Sequence, residues 1–166
     1  MRQWGRRRAQ QGYIAAIKTF RQLTGSFYKP YSRVYHIAER HDWAIAWHAK
    51  YVSRHVRRLT GISSSITGTY QGLRRQIVHF DSRAMYLYDA VDRIDGSNRV
   101  ILYWTHGDKS DPKPGIRWMI DHMLEVYPRL SKIVVCSTLN EQRLISWGIP
   151  PDMLTMIPIG IDVKAF

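Results

Sequence analysis

Six short stretches of this chain carry side chains able to bind or move charge. They are Glu39-Arg40-His41, Thr67-Gly68-Thr69, Asp81-Ser82-Arg83, Thr105-His106-Gly107-Asp108, Ser137-Thr138 and Gly160-Ile161-Asp162. Each follows a short apolar run. The imidazoles and guanidinium groups can meet an anionic or hydroxyl-rich ligand, and the glycines let a ligand approach the backbone. His106 followed by Gly107 is the sharpest pair, but a histidine at a strand end can equally be a structural residue bonded to backbone. Ser137 can serve a ligand or simply cap the helix that follows it.

Other chemistries lack their residues. The first strand is followed by "AERHDW", with no glycine, so no G-x-G-x-x-G dinucleotide turn is present. There is no G-x-x-x-x-G-K-[ST] phosphate loop and no G-x-S-x-G nucleophile turn. No Asp-x-Asp pair stands ready to hold a divalent metal beside a diphosphate. His41, His48 and His55 are spaced by seven. On a helix they share a face, but successive members lie about 10 Å apart along the axis, too far for one ion. No residue is assigned as a metal ligand.

The elements that must position these groups alternate. Strands are expected at Arg33–Glu39, Ile62–Thr67, Gln76–Ser82, Arg99–His106, Lys132–Thr138 and Leu154–Ile159. Helical patterns lie between them. The main ones are "HDWAIAWHAKYVSRHVRRLTG", capped by Asp42 and stopped by Gly61, then "RAMYLYDAVDRI", "GIRWMIDHMLEVYPRL" and "LNEQRLISWG". "GLRRQ" is too short to read as a helix. The apolar runs are nearly continuous, so both sheet faces should be covered. This predicts an α/β fold: a doubly wound, Rossmann-like parallel sheet with helices on both faces. Ligands of such sheets sit beyond the carboxyl ends of the strands, which is where the six stretches fall.

The 166 residues fit one domain, at roughly 100–200 residues per domain. The formal charge is +12 and it is unevenly placed. Met1 to Ala38 holds eight Lys/Arg and no acid, whereas the remainder holds 17 basic and 13 acidic residues. The segment "RRRAQQGYIAAIKTFRQLTG" reads as a basic helix with Tyr13, Ile14, Ile17, Phe20 and Leu23 at helical spacing. It can lie on an anionic membrane, bind nucleic acid, or pack on the sheet with a solvated tip. One cysteine, Cys136, allows neither an internal disulfide nor a cysteine-based zinc site, which fits a reducing cytoplasmic compartment. No apolar run approaches the ~18–20 residues of a membrane span.

The last third carries a further pattern: Ser137, Leu144, Gly148-Ile149-Pro150, Ile157-Pro158, Gly160-Ile161-Asp162 and Phe166. In order and spacing it resembles the end of the N-terminal domain of glycosyltransferases with the GT-B fold, and more narrowly the retaining family four. "ILYWTHGD" upstream resembles that family's strand ending in histidine. There are two departures: Ile159 stands where the family often has Asn, and Glu39-Arg40-His41-Asp42 replaces a glycine-bearing loop. After the basic arm over 1–32, the resemblance implies a Rossmann-like acceptor-side domain over 33–158 and the start of an interdomain crossing over 159–166. The chain would then be the N-terminal half of an enzyme, inactive without a C-terminal donor-binding domain in cis or in trans.

The same resemblance implies retaining transfer from a nucleotide-sugar to a sugar or lipid-linked acceptor, with no cofactor and no metal. His106 would contact the donor sugar. Arg40, His41, Arg83, Gly107, Asp108 and Ser137 would border the substrate. The location would be cytoplasmic, extending to the inner membrane face through the arm. The competing expectation is a non-catalytic Rossmann-like module that binds nucleic acid or anionic membrane through that arm, nucleic acid being the less favoured partner of the enzyme reading.

Overall fold

In the computed structural model, Thr19, residues 33–39 and residues 44–158 are described. The expected basic helix near the N-terminus, the Asp42 cap, and the calls on Arg40, His41, Gly160 and Asp162 lie outside the described residues. The chain falls into two compact units, one ending at Arg99 and the other beginning at Val100.

Strand β1 spans Arg33–Ile37, helix α1 Ala44–Thr60, β2 Ser63–Thr67 and β3 Ile77–Phe80. A short turn of α-helix, α2 (Arg83–Met85), runs into a wide π-type turn, Tyr86–Ala90. Then come β4 (Arg99–Trp104), α3 (Pro114–Val126), β5 (Lys132–Val135), α4 (Thr138–Ser146) and β6 (Leu154–Met156). The sheet has six strands in the order β2-β1-β3-β4-β5-β6. β1 pairs parallel with both β2 and β3, and β5 pairs parallel with both β4 and β6. This is the expected α/β, Rossmann-like parallel sheet with helices around it. Each strand is one to three residues shorter than its apolar run.

In the first unit, Ile37, Val78 and Phe80 are fully buried. Phe80 lies between Tyr70 and Tyr86, with ring centroids 6.1 and 5.1 Å away. β2 is different: its sequence SSSIT is half exposed, and a short serine-rich edge offers little to an incoming strand. Gly61, at φ 69, ends α1, and its N–H bonds the Arg57 carbonyl at 3.1 Å. The helix expected over "RAMYLYDAVDRI" is broken. The Tyr70 hydroxyl donates to the Asp89 carbonyl at 3.0 Å, and the Arg93 N–H bonds Ala90 rather than Asp89. The Val91 N–H reaches back five residues to the Tyr86 carbonyl at 2.9 Å, and Tyr86, Leu87, Ala90 and Val91 are all buried.

In the second unit, α3 begins with Pro114 at its first turn, where the missing N–H costs nothing. It buries Met119, Ile120, Met123 and Val126, one helical stripe. α4 ends in a paired backbone closure. The Gly148 N–H bonds Ile145 at 2.9 Å and the Ile149 N–H bonds Leu144 at 3.0 Å, with Gly148 at φ 101. Ile149 and Leu144, joined by that backbone bond, are both buried.

Candidate functional site

Two clusters of polar side chains stand at strand ends, one in each unit. The first lies where β1 and β3 run side by side. His36 of β1 is opposite His79 of β3 in the parallel register. Their rings meet edge to face with centroids 5.0 Å apart, and the two Nδ1 atoms are 3.1 Å apart. Asp81 follows one residue after β3. Its Oδ2 lies 3.1 Å from His36 Nδ1, and its Oδ1 lies 3.2 Å from His48 Nδ1 and 3.5 Å from His79 Nδ1. His36, His79 and Asp81 are buried, while His48 on α1 is part-exposed. Burial pushes the Asp81 carboxyl up, but hydrogen bonds from His36, His48 and His79 outweigh it. They hold the carboxyl well below the usual carboxylate range. The Ser82 hydroxyl donates to Glu39 at 2.9 Å across the same two strand ends.

Arg83, expected at the substrate rim, is 8% exposed and belongs to the first turn after Ser82. The heptad histidines serve separate tasks. His48 turns in to Asp81, whereas His55 is exposed and its Nδ1–H donates to the Tyr51 carbonyl at 2.9 Å. Asp81 was among the strand-end residues read from sequence, whereas His36 and His79 were not. Their signal is a histidine near the end of each of two strands, which becomes a pair only once the strand order makes them neighbours.

The second cluster is the loop after β4, held by one face of α4. Ser137 is the N-cap of α4, and its Oγ accepts the Asn140 N–H at 3.3 Å. Asn140 is buried, and its Nδ2–H donates to the Thr105 carbonyl at 2.5 Å. The Cys136 thiol reaches the same carbonyl at 3.3 Å. One turn further on, Arg143 pairs with Asp108 at 2.7 Å. Beyond it, Lys109 Nζ lies 5.5 Å from the centroid of the Trp147 ring. The loop also closes on itself. Asp108 Oδ1 accepts the Ser110 N–H and hydroxyl at 2.9 and 2.8 Å, and Asp111 accepts the Lys113 N–H at 2.9 Å. Bonds from Ser110 first, then the charge of Arg143, draw the Asp108 carboxyl below its ordinary value.

Within this frame His106 is exposed, with its Nδ1 2.8 Å from Thr105 Oγ1. Gly107 adopts φ 130, which a side chain would strain. The second unit thus brings His106, Gly107, Asp108 and Ser137 together. Ser137 acts as a helix cap and Asp108 as a loop anchor. The arrangement can present one imidazole, beside a stretch of backbone without side chain, to a ligand beyond the sheet. Sequence reading missed Asn140 and Arg143. Their spacing of three and six from the cap Ser137 was the available signal.

No described helix is long and apolar enough to cross a membrane. No protein-family model matches the chain, and a search of curated proteins finds no match. Among solved structures it is similar to the C-terminal domain of glucosamine-fructose-6-phosphate aminotransferase from Francisella tularensis. The TM-score is 0.37 at 9% identity, over 90% of this chain and 35% of that one. The chain therefore spans about a third of the length of that structure.

Proposed function

We propose that this chain is the acceptor-side, N-terminal half of a retaining, nucleotide-sugar-dependent glycosyltransferase. One observation carries the reading. A whole face of α4 (Ser137, Asn140, Arg143) is spent on holding the loop after β4, while His106 beside Gly107 stays exposed at its head. The pattern from Gly148-Ile149-Pro150 to Gly160-Ile161-Asp162 supports the same reading from sequence.

In this reading His106 hydrogen-bonds the donor sugar and Gly107 admits it to the backbone. Arg40 and His41 take the place of the family's glycine loop, and Arg83 borders the substrate. Retaining transfer develops positive charge on the sugar while a nucleoside diphosphate leaves. Lys and Arg side chains together with helix N-terminal amides neutralise the leaving charge, without metal or cofactor. A second domain supplies most of the nucleotide site. The acceptor is a sugar or lipid-linked sugar, and the basic segment over 1–32 rests on the anionic cytoplasmic face of a membrane.

The test is sugar transfer from a panel of nucleotide-sugars, with product anomers read by NMR. Residues 1–166 alone should transfer nothing. The chain joined to the donor domain should transfer with retention, and His106→Ala should lower kcat about 10²-fold, as for loss of a group that positions the reacting sugar. Turnover by 1–166 alone, or full activity of His106→Ala, would overturn the reading.

A further inference from the structure

The buried cluster at the ends of β1 and β3 lies outside that chemistry. We infer that His36, His79 and Asp81 form a binding site for a divalent transition-metal ion of the zinc class. Imidazole nitrogens and one carboxylate suit such an ion, and two histidines plus a carboxylate are a recurrent three-ligand set. The ligand atoms already stand at coordination spacing. His36 Nδ1 is 3.1 Å from His79 Nδ1 and 3.1 Å from Asp81 Oδ2, and His79 Nδ1 is 3.5 Å from Asp81 Oδ1. Bonds of 2.0–2.2 Å at a tetrahedral angle put ligand atoms about 3.3–3.6 Å apart. All three side chains offer atoms within 4.8 Å of one another, and all three residues are buried.

Protons and a metal ion would fill this geometry differently. If His36 Nδ1 carries a hydrogen, it can donate to Asp81. His79 Nδ1 must then turn a lone pair toward His36, and that lone pair also faces the Asp81 carboxylate. If His36 Nδ1 is bare, its own lone pair faces Asp81 at 3.1 Å. If both nitrogens carry a hydrogen, His36 can donate to Asp81 Oδ2 and His79, at a longer 3.5 Å, to Oδ1, with the two nitrogens crowded to 3.1 Å. A cation at the centre would instead be met by a lone pair from each of the three groups, with no crowding of N–H hydrogens. His48, 3.2 Å from Asp81 Oδ1, is a positioning residue: it orients the carboxylate from α1, on the part-exposed side.

The test uses the untagged 1–166 chain, stripped with chelator and then titrated with Co2+ and with Zn2+ against a chromophoric competitor. We expect one equivalent of Co2+ with d–d absorption, its displacement by Zn2+, and a Tm that rises with Zn2+. His79→Phe and His36→Phe should abolish all three, and His48→Gln should weaken binding about 10–100-fold. X-ray absorption of the wild-type zinc form should show two imidazoles, a readout that does not depend on any variant folding. Absence of stoichiometric uptake, a first shell of water only, or unchanged uptake by a folded His79→Phe chain would overturn the site. The last result would assign the metal to surface histidines such as His55 and His122.

Discussion

At the residue scale, Asn140 is the side chain on which the second cluster most depends. It is buried, it takes the Thr105 carbonyl with its amide, and its own N–H is held by Ser137. Asn140→Ala leaves the Thr105 carbonyl with the weaker Cys136 thiol as its donor. It should lower stability by about 1–3 kcal/mol in a denaturant titration. Asn140→Asp should do likewise above the ordinary Asp pKa, since a carboxylate cannot donate. Tyr70 supports a pH prediction. Burial first, then the charge and hydrogen bonding of Asp89, push its phenol up from 10.0 to about 12. The folded state therefore holds that proton more tightly than the unfolded state does. The resulting stabilisation is complete below pH 10 and is lost as pH rises towards 12. Denaturation followed from pH 9 to 12 should show this fall, and Tyr70→Phe should flatten it. An equal alkaline slope in both proteins would exclude Tyr70 as its source.

At the scale of elements, the closure of α4 is a backbone device with its own test. Gly148 sits at φ 101, and an added Cβ would meet nothing within 4 Å. The cost of Gly148→Ala is thus conformational, about 1–2 kcal/mol, and should move the denaturation midpoint without changing the slope. How far the elements could be read from sequence follows from their chemistry. β4 was plain because Val100, Leu102, Tyr103 and Trp104 are all buried, which leaves a run with no polar break. Its end was overshot because Thr105 and His106 belong to a loop shaped by α4, which no local pattern reveals. The helix expected over "RAMYLYDAVDRI" failed for a tertiary reason: the Tyr70 hydroxyl takes a carbonyl that a regular helix would have used. Ser137 and Gly148 were legible as cap and stop because capping is local. The meeting of His36, His79 and Asp81 was not legible, because it needs β1 and β3 adjacent and in register.

At the scale of the whole molecule, charge is the most uneven property. Eight basic residues and no acid lie within the first 38 positions. In the proposed function this segment meets anionic lipid. Binding of the chain to phosphatidylserine vesicles should therefore fall steeply as the Debye length shrinks from about 10 Å at 0.1 M salt to about 3 Å at 1 M. It should also be lost on deletion of residues 1–32. Salt-insensitive binding, or full binding by the truncated chain, would contradict that role. The α/β sheet was legible in the alternation of apolar runs and helical patterns, whereas the enzyme reading rests on His106, Gly107 and the pattern from Gly148 to Asp162. The most direct measurement is to sequence the encoding DNA beyond the codon for Phe166. The proposed function predicts a second α/β domain bearing paired glutamates, in frame or in a neighbouring gene. A stop codon directly after Phe166, with no such partner gene nearby, would contradict it.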